Sequence, residues 1–228
     1  MSADPESGAA LSNRLSMGLL VLTAVSGIVD AVSFLALGHI FTANMTGNIA
    51  FLAFATAGVP DISVAPSITS LAAYLSGAVV GGYFGRGVAG PFRRRWLLLC
   101  ATCEAALLVA AAIAVIALDG DSTALVERQY AVIVLTALAM GLRNATVQQL
   151  AVPGLTTTTV LTMTMTGLAA DFTLAGGSNP HMRRRLGSIA SLFVGAAIGT
   201  VLLRFGLGVP LIVAAISVVF ATVGYADA

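Results

Sequence analysis

The stretch GHIFTANMTGNIAFLAFA, from Gly38 to Ala55, begins and ends like a membrane-spanning segment but is polar in its middle. Its centre contains residues that are polar or lack a side chain: Asn44, Thr46, Gly47 and Asn48. Hydrocarbon has no water to satisfy a non-helical backbone, so a broken helix survives there only against protein or a water-filled cavity. How this stretch folds therefore depends on the segments that surround it.

The whole chain is strongly apolar. Its 228 residues are 58% hydrophobic and 9% charged, with a mean hydropathy of +0.97, whereas soluble domains have about 25% charged residues. This is too little polar surface to cover a water-soluble globule, so we expect the lipid bilayer to be its main partner. The net charge of +1 gives no indication of nucleic-acid binding.

Apolar runs divide the chain into spanning and interrupted segments. A helix that crosses about 30 Å of hydrocarbon needs roughly 20 apolar residues. Six runs approach this length: 17–37, 67–90, 96–118, 129–150, 186–205 and 208–225. Two further runs, 39–59 and 154–175, are interrupted by polar residues, Thr or Gly. We therefore predict a polar N-terminal tail over 1–16 and a single all-α transmembrane domain over 17–228.

Two arginine triplets set the expected topology. Both Arg93–Arg95 and Arg183–Arg185 should be cytoplasmic, because cytoplasmic loops are enriched in Arg and Lys. Three crossings between the triplets would place them on opposite sides, whereas two crossings place them on the same side. Segment 154–175 is therefore predicted to re-enter, as is its counterpart 39–59, and both termini are predicted to be cytoplasmic.

The two halves of the chain, 17–118 and 129–225, resemble each other. GIVDAVSFLALG from Gly27 matches GLRNATVQQLAVPG from Gly141, and GHIFTANMTGNIAFLA matches GLTTTTVLTMTMTGLA. Each half has three spanning helices and one broken segment, and an odd number of crossings inverts the second half relative to the first. Inverted repeats with broken helices near the membrane midplane are a recurring architecture of small-solute transporters.

The polar residues in and beside the broken segments form the candidate substrate path. We expect a short helix to restart near Asn48, capped by Thr46 or Asn48, with Gly47 permitting a sharp bend. In the alignment Thr46 matches Thr162, and Asn48 matches Thr164. The full candidate set is Asp30, Asn44, Thr46, Gly47, Asn48, Arg143, Asn144, Thr158, Thr162 and Thr164. The alternative is that these groups only hold helices together.

Asp30 lies well inside the first apolar run. An intramembrane carboxylate costs about 2.5–3.5 kcal/mol on insertion scales and usually faces a partner or a cavity. A proton or cation site and a structural ion pair with Arg143 are both open for this residue. Glu104, in the fourth apolar segment, is expected to snorkel or to pair with Arg93–Arg95.

The signature VDAVSFLALGHIFTANMTGN resembles the YoaK family of bacterial membrane proteins, a family described as a domain of unknown function. GLRNATVQQLAVPG and the Thr-rich stretch after it resemble the second motif of that family. The resemblance covers the chain from about Met17 to its end. It implies an integral inner-membrane protein, and it implies no reaction. At Met163 the family more often has Gly, so the second bend is expected to be less sharp.

The remaining sequence features limit the function classes. There is no Ser-His-Asp set, Walker motif or cluster of metal ligands, so we expect no enzyme activity, cofactor or metal. Cys100 and Cys103 have CxxC spacing, but their apolar setting favours two small residues at a helix contact.

The leading hypothesis is a channel or secondary transporter for a small polar or ionic solute in the bacterial cytoplasmic membrane. The alternative is a non-transporting scaffold or partner-binding subunit. The sequence leaves the solute and homo-oligomerisation open.

Overall fold

The fold is a bundle of α-helices. The structure is a computed structural model that describes residues 5–60, 62–85, 93–117, 124–150, 161–171 and 182–226, and these ranges contain eight α-helices and no β-strand. The first half contributes α1 (Pro5–Ala36), α2 (Met45–Thr56), α3 (Val64–Gly85) and α4 (Arg93–Ala117). The second half contributes α5 (Ala124–Leu150), α6 (Leu161–Ala170), α7 (Met182–Leu202), a 3₁₀ turn (Leu203–Phe205) and α8 (Gly208–Tyr225). The predicted all-α architecture is confirmed, although α1 begins before the predicted span.

Helix length separates spanning helices from half-helices. Five helices, α1, α3, α4, α5 and α7, are long and apolar enough to cross a membrane, judged by length and composition. Helix α8 has 18 residues and is about 27 Å long, slightly less than the hydrocarbon thickness of about 30 Å. Helices α2 and α6 have 12 and 10 residues, or about 18 Å and 15 Å. The two predicted broken segments therefore each contain a helix too short to cross.

The outer surface of the bundle is apolar. Only 17% of the spanning part of α7 and 33% of α3 are buried inside the bundle, against 72% of α5. Large apolar side chains such as Val79 on α3 and Phe193 on α7 are exposed. Such a surface is stable in contact with lipid, so α3 and α7 face the bilayer while α5 lies near the centre.

Glycines bring two pairs of helices into backbone contact. They lie at the closest approaches of α1 to α7 and of α3 to α5: Gly27, Gly77, Gly141 and Gly195. An added Cβ at Gly77 would overlap the carbonyl oxygen of Leu138, and one at Gly195 would overlap that of Ala24. Small residues permit such close packing between membrane helices. The two interfaces are equivalent under the internal repeat.

The order of these contacts fixes the helix directions. Helices α1 and α7 run parallel, because contacts advance together along both: Leu20 with Gly187, Ala24 with Gly195, and Ile28 with Gly199. Helices α3 and α5 also run parallel, with three contacts in the same order: Gly77 with Leu138, Gly81 with Leu142, and Gly85 with Gln149.

Helices α1 and α5, in contrast, run antiparallel. Arg143 near the end of α5 binds the carbonyl of Leu22, whereas Gln129 near its start binds the carbonyl of Leu37. Since α3 is parallel to α5, it is antiparallel to α1. The end of α1 and the start of α3 therefore lie at the same end of the bundle, so the chain between them returns to the end from which it started. The same holds between α5 and α7. This is the arrangement predicted for two re-entrant segments.

The equivalent helices of the two halves point in opposite directions. Helix α5 is the counterpart of α1 and antiparallel to it. Helix α8 is the counterpart of α4, and these two are also antiparallel: Ala112 faces Gly208 at one end, while Leu97 and Thr222 line one cavity at the other. The second half is therefore inverted relative to the first, as the number of crossings predicts.

Candidate functional site

The first break follows a tight turn at the end of α1. Gly38 and His39 both have positive φ, 90° and 57°, a conformation that a glycine adopts without strain. From α5, the Gln129 side-chain amide donates a hydrogen bond of 2.7 Å to the Leu37 carbonyl. This bond satisfies one of the carbonyls that a helix end leaves without an intrahelical partner.

Asp30 stabilises the end of this break that adjoins α2. Its Oδ1 accepts hydrogen bonds from the backbone N–H groups of Ala43 at 2.8 Å and Asn44 at 3.3 Å. Asn44 immediately precedes α2, where backbone donors are unsatisfied and the helix dipole is positive. The buried carboxylate therefore supplies the acceptor that hydrocarbon cannot.

Asn48 stabilises the backbone of the break at Phe41. Its side-chain oxygen accepts a hydrogen bond of 2.8 Å from the N–H of Phe41, and its side-chain nitrogen donates to the carbonyl of the same residue at 2.5 Å. That carbonyl also accepts from the hydroxyl of Ser70 on α3 at 2.7 Å. Asn48 is fully buried, so one side chain replaces both partners that the backbone of Phe41 lacks.

Three details of the predicted first break are wrong. Helix α2 begins at Met45 with Asn44 as its N-terminal cap residue, so it is capped by neither Thr46 nor Asn48. Thr46 is exposed, and Asn48 bonds to the loop instead. Gly47 lies inside the helix, where an added Cβ would come 2.6 Å from the Phe41 ring. The glycine thus makes room for an aromatic side chain, and the sharp turn lies at Gly38 and His39.

Arg143 is buried among α1, α4 and α5. It donates hydrogen bonds to the carbonyl of Leu22 at 2.8 Å and the hydroxyl of Ser26 at 3.0 Å, and it contacts the sulfur of Met140. Its Nη1 also lies 3.4 Å from Oε1 of Glu104, which is an ion-pair distance. One long side chain therefore joins the two halves of the molecule.

Two predicted ion pairs are corrected by this arrangement. Within the described residues, Arg143 pairs with Glu104, and Asp30 instead accepts from backbone N–H groups. Glu104 is 3% exposed, so it neither snorkels to the surface nor pairs with Arg93–Arg95. The reason is helix register: α4 packs against α5 with its Glu104 face turned inward, where the guanidinium of Arg143 is within reach.

Asn144 differs from its counterpart Asp30. Its side-chain nitrogen donates a hydrogen bond of 2.7 Å to the hydroxyl of Tyr74 on α3. Asp30 thus stabilises a break, whereas Asn144 joins two long helices.

The second half-helix repeats the burial pattern of the first. Thr162 is exposed like its counterpart Thr46, and Thr164 is buried like its counterpart Asn48. Thr158 lies outside the described residues. At the end of α6, Asp171 forms an ion pair of 2.6 Å with Arg185 of α7. The half-helix α6 is therefore tied to α7, as α2 is tied to α3 through Ser70.

The candidate residues occupy three places. Asp30, Asn44, Thr46, Gly47 and Asn48 lie at or beside the first break, Arg143 and Asn144 lie on α5, and Thr162 and Thr164 lie on α6. A single path lined by all of them stays a prediction.

A small cavity adjoins the ion pair. It has a volume of about 10 Å³ and is lined by side chains from α1, α4, α5 and α8, including Cys100, Glu104, Arg143, Thr146 and Thr222. A cavity of this size holds about one water molecule. The sequence does not reveal it, because it requires four helices to meet.

Sequence reasoning also missed several partners. Ser26, Ser70 and Tyr74 bind Arg143, Asn48 and Asn144, respectively. Ser26 and Tyr74 each have apolar neighbours or glycine on both sides, whereas Ser70 follows Thr69, so a polar residue within an apolar run was the available signal.

Among the described residues, no group of three or more His, Cys, Asp or Glu side chains is placed to hold a metal ion. Cys100 and Cys103 are both free thiols. Cys100 is buried, as predicted for a small residue at a helix contact, whereas Cys103 is exposed.

The geometry defines a multi-pass α-helical membrane protein with two inverted halves. The profile of the family described as "Protein of unknown function (DUF1275)" matches residues 18–224, so the chain belongs to that family. It is 34% identical over 163 residues to the UPF0700 transmembrane protein YoaK of Bacillus subtilis (strain 168). The aligned region covers 72% of this chain and 68% of that relative. No solved structure matches the chain. The predicted family resemblance is confirmed.

Proposed function

We propose that this chain is a channel or secondary transporter for a small polar or ionic solute. The observation that carries the proposal is the presence of one half-helix, α2 or α6, in each of the two inverted halves, both too short to cross a membrane. Transporter folds commonly use such elements, because the ends of half-helices can bind a solute inside the membrane. The proposal assigns no catalytic reaction to the chain.

Two exposed threonines, one in the first turn of each half-helix, support this proposal. Exposed threonines on long helices, such as Thr102 and Thr200, donate to their own helix carbonyl four residues earlier. In the described part of the chain, Thr46 and Thr162 have no hydrogen-bond partner within the protein. An unsatisfied hydroxyl is costly in hydrocarbon, so these two positions favour contact with water or a polar solute.

We further propose the bacterial cytoplasmic membrane as the location, with both arginine triplets on the cytoplasmic side. Helices α4 and α7 begin with these triplets, at the end of the bundle where α1 begins. Helix α7 is parallel to α1, and α4 is antiparallel to α5, because Leu97 near the start of α4 and Val147 near the end of α5 line one cavity. The positive-inside rule then orients the bundle. In a cysteine-free background, Arg95→Cys and Arg183→Cys should react with an impermeant reagent from the cytoplasmic side only. Val59→Cys should react from the opposite side.

The direct test is solute flux in proteoliposomes. Purified protein of verified fold is reconstituted, and the uptake of a panel of small polar and ionic solutes is compared with that of protein-free liposomes. We expect saturable or selective uptake of at least one solute class. No uptake of any solute would overturn the proposal.

The scaffold alternative has one specific observation in its favour. At the first break, the polar groups of Asp30, Asn48 and Ser70 are bonded to the protein itself. These bonds explain the polar residues without any solute. A partner that co-purifies at constant stoichiometry, together with absence of flux, would favour this alternative.

A further inference from the structure

Three ionisable side chains are buried together in the membrane interior. Asp30 on α1, Glu104 on α4 and Arg143 on α5 are 9%, 3% and 3% exposed. Asp30 and Glu104 both interact electrostatically with Arg143. Only Glu104 is at ion-pair distance from Arg143, and Asp30 acts on it at longer range. The three groups together have a net charge of −1 when both carboxyls are ionised. One bound proton makes the trio neutral, which is the less costly state in a medium of low dielectric constant.

The hydrogen bonds show which carboxyl is suited to remain ionised. Asp30 accepts from the backbone N–H groups of Ala43 and Asn44, which immediately precede α2, and the N–H of Thr42 also interacts with it. Backbone donors and the positive end of a helix dipole both favour a carboxylate. The negative charge of the trio is therefore best placed on Asp30.

Glu104 has the opposite environment. Its Oε1 is buried and accepts no hydrogen bond. The nearest cation, Arg143, lies 3.4 Å away and directs its hydrogen bonds to neutral acceptors, the carbonyl of Leu22 and the hydroxyl of Ser26. A buried carboxylate without hydrogen bonds is costly, and a protonated carboxyl avoids much of that cost.

The small cavity gives this carboxyl a place to exchange a proton. Cys100, Thr146 and Thr222 line it together with Glu104 and Arg143, and its volume of about 10 Å³ suits one water molecule. The groups that face Glu104 are Cys100 on its own helix and Arg143 on α5, with Asp30 on α1 acting through Arg143. Helix α8 contributes Thr222 and contains no Asp, Glu, Lys, Arg or His.

We infer that Glu104 is a reversible proton-binding site in the membrane interior, protonated in this conformation and accessible to water through the adjacent cavity. Binding converts the carboxylate to a carboxylic acid with a proton taken from water. Arg143 ties α5 of one half to α1 and α4 of the other, so movement of the halves changes its distance from Glu104. If the proposed transport function holds, this site couples flux to a proton gradient.

The test is infrared spectroscopy of the purified protein at neutral pH, which needs no knowledge of the solute. Exposed carboxyls are ionised at this pH, so a C=O stretch of a protonated carboxyl reports a buried one. We expect this band in the wild type and in Asp30→Asn, its loss in Glu104→Gln, and a shift on transfer to D₂O. Thr146→Val, which changes the cavity wall, should change its frequency even where Glu104→Gln does not fold.

Several results would overturn the inference. They are the absence of the band, its loss in Asp30→Asn with retention in Glu104→Gln, a frequency unchanged by Thr146→Val, or no shift in D₂O. A band with the expected behaviour in a protein without solute flux would leave the proton site standing and refute the transport proposal alone. The two failures are therefore distinguishable.

Discussion

The two halves of the molecule agree in their glycines and differ in their charged residues. Gly77, in LSGAVVGG (75–82), brings α3 against the backbone of α5 at Leu138. Its counterpart Gly195, in the similar stretch FVGAAIGT (193–200), brings α7 against the backbone of α1 at Ala24. These contacts place equivalent helices in equivalent positions. The two halves therefore share the same close packing of helices.

The polar residues beside these glycines do not follow the repeat. Asp30 binds the backbone just before a half-helix, whereas its counterpart Asn144 binds Tyr74 on a long helix. Arg143 has Val29 as its counterpart, so the buried cation is present in one half only. Symmetric packing therefore builds the scaffold, while any step that depends on the Arg143 charge is confined to one place in it.

The largest effect should come from the shared glycines. Gly77→Ala and Gly195→Ala each force a Cβ into a neighbouring backbone, which cannot move as a flexible side chain does. We expect each substitution to lower the free energy of unfolding by about 3 kcal/mol, the upper part of the usual range for overpacking. The measurement is thermal unfolding of purified protein in detergent.

Gly82→Ala on α3 is the matched control, because an added Cβ there has no atom within 4 Å. It should be neutral or slightly stabilising, since Ala favours a helix over Gly by roughly 0.5–1 kcal/mol. Equal behaviour of Gly77→Ala and Gly82→Ala would contradict the close helix contact.

The second effect separates Asp30 from its counterpart Asn144. Asp30→Ala removes the acceptor of one buried and one half-buried N–H group, so we expect a loss of about 2 kcal/mol. Asn144→Ala removes one side-chain hydrogen bond and should cost about 1 kcal/mol. Both values come from chemical or thermal unfolding in detergent.

A double variant tests the corrected pairing. Because Asp30 and Arg143 have separate hydrogen-bond partners, Asp30→Ala combined with Arg143→Ala should show no recovery of stability over the single variants. Recovery of stability would instead support the Asp30–Arg143 ion pair that the sequence suggested.

The third effect compares the buried residues of the two half-helices. Asn48→Ala leaves the N–H of Phe41 without its acceptor, although Ser70 still binds the carbonyl. We expect a loss of about 1.5 kcal/mol. Thr164→Ala should cost less, because within the described residues its side chain makes no hydrogen bond. A larger loss at Thr164 would mean that the second break depends on a bond of its own.

Much of the fold could be predicted from sequence because membranes impose simple rules. The apolar runs gave the order of long helices and broken segments, and the odd number of crossings in each half gave the inversion. The charge of Arg93–Arg95 and Arg183–Arg185 gave the re-entrant arrangement. These features depend on length, polarity and count, which a single sequence contains.

The site was less predictable because it depends on helix register. Asp30 and Asn44 could be assigned to the same region, since few residues separate them. The partner of Arg143 could not, because a long side chain reaches several helices and the rotation of α4 decides whether Glu104 faces it. Asn48 was identified as important, but its bonds to Phe41 require the path of the loop.

The smallest effect on stability should come from the exposed threonines, where the comparison of the halves bears directly on function. Thr46→Val and Thr162→Val remove hydroxyls without partners in the described protein, so each should change stability by no more than about 0.5 kcal/mol. Thr200→Val is the control, since that hydroxyl is exposed but bonded to its own helix.

If the path runs along both half-helices, Thr46→Val and Thr162→Val should reduce proteoliposome flux by similar factors while the control does not. A reduction in one variant alone would place the path in one half, and normal flux in both would remove these hydroxyls from it. Since folding makes little use of either hydroxyl, a loss of flux at unchanged stability would identify a contact with the solute or its water.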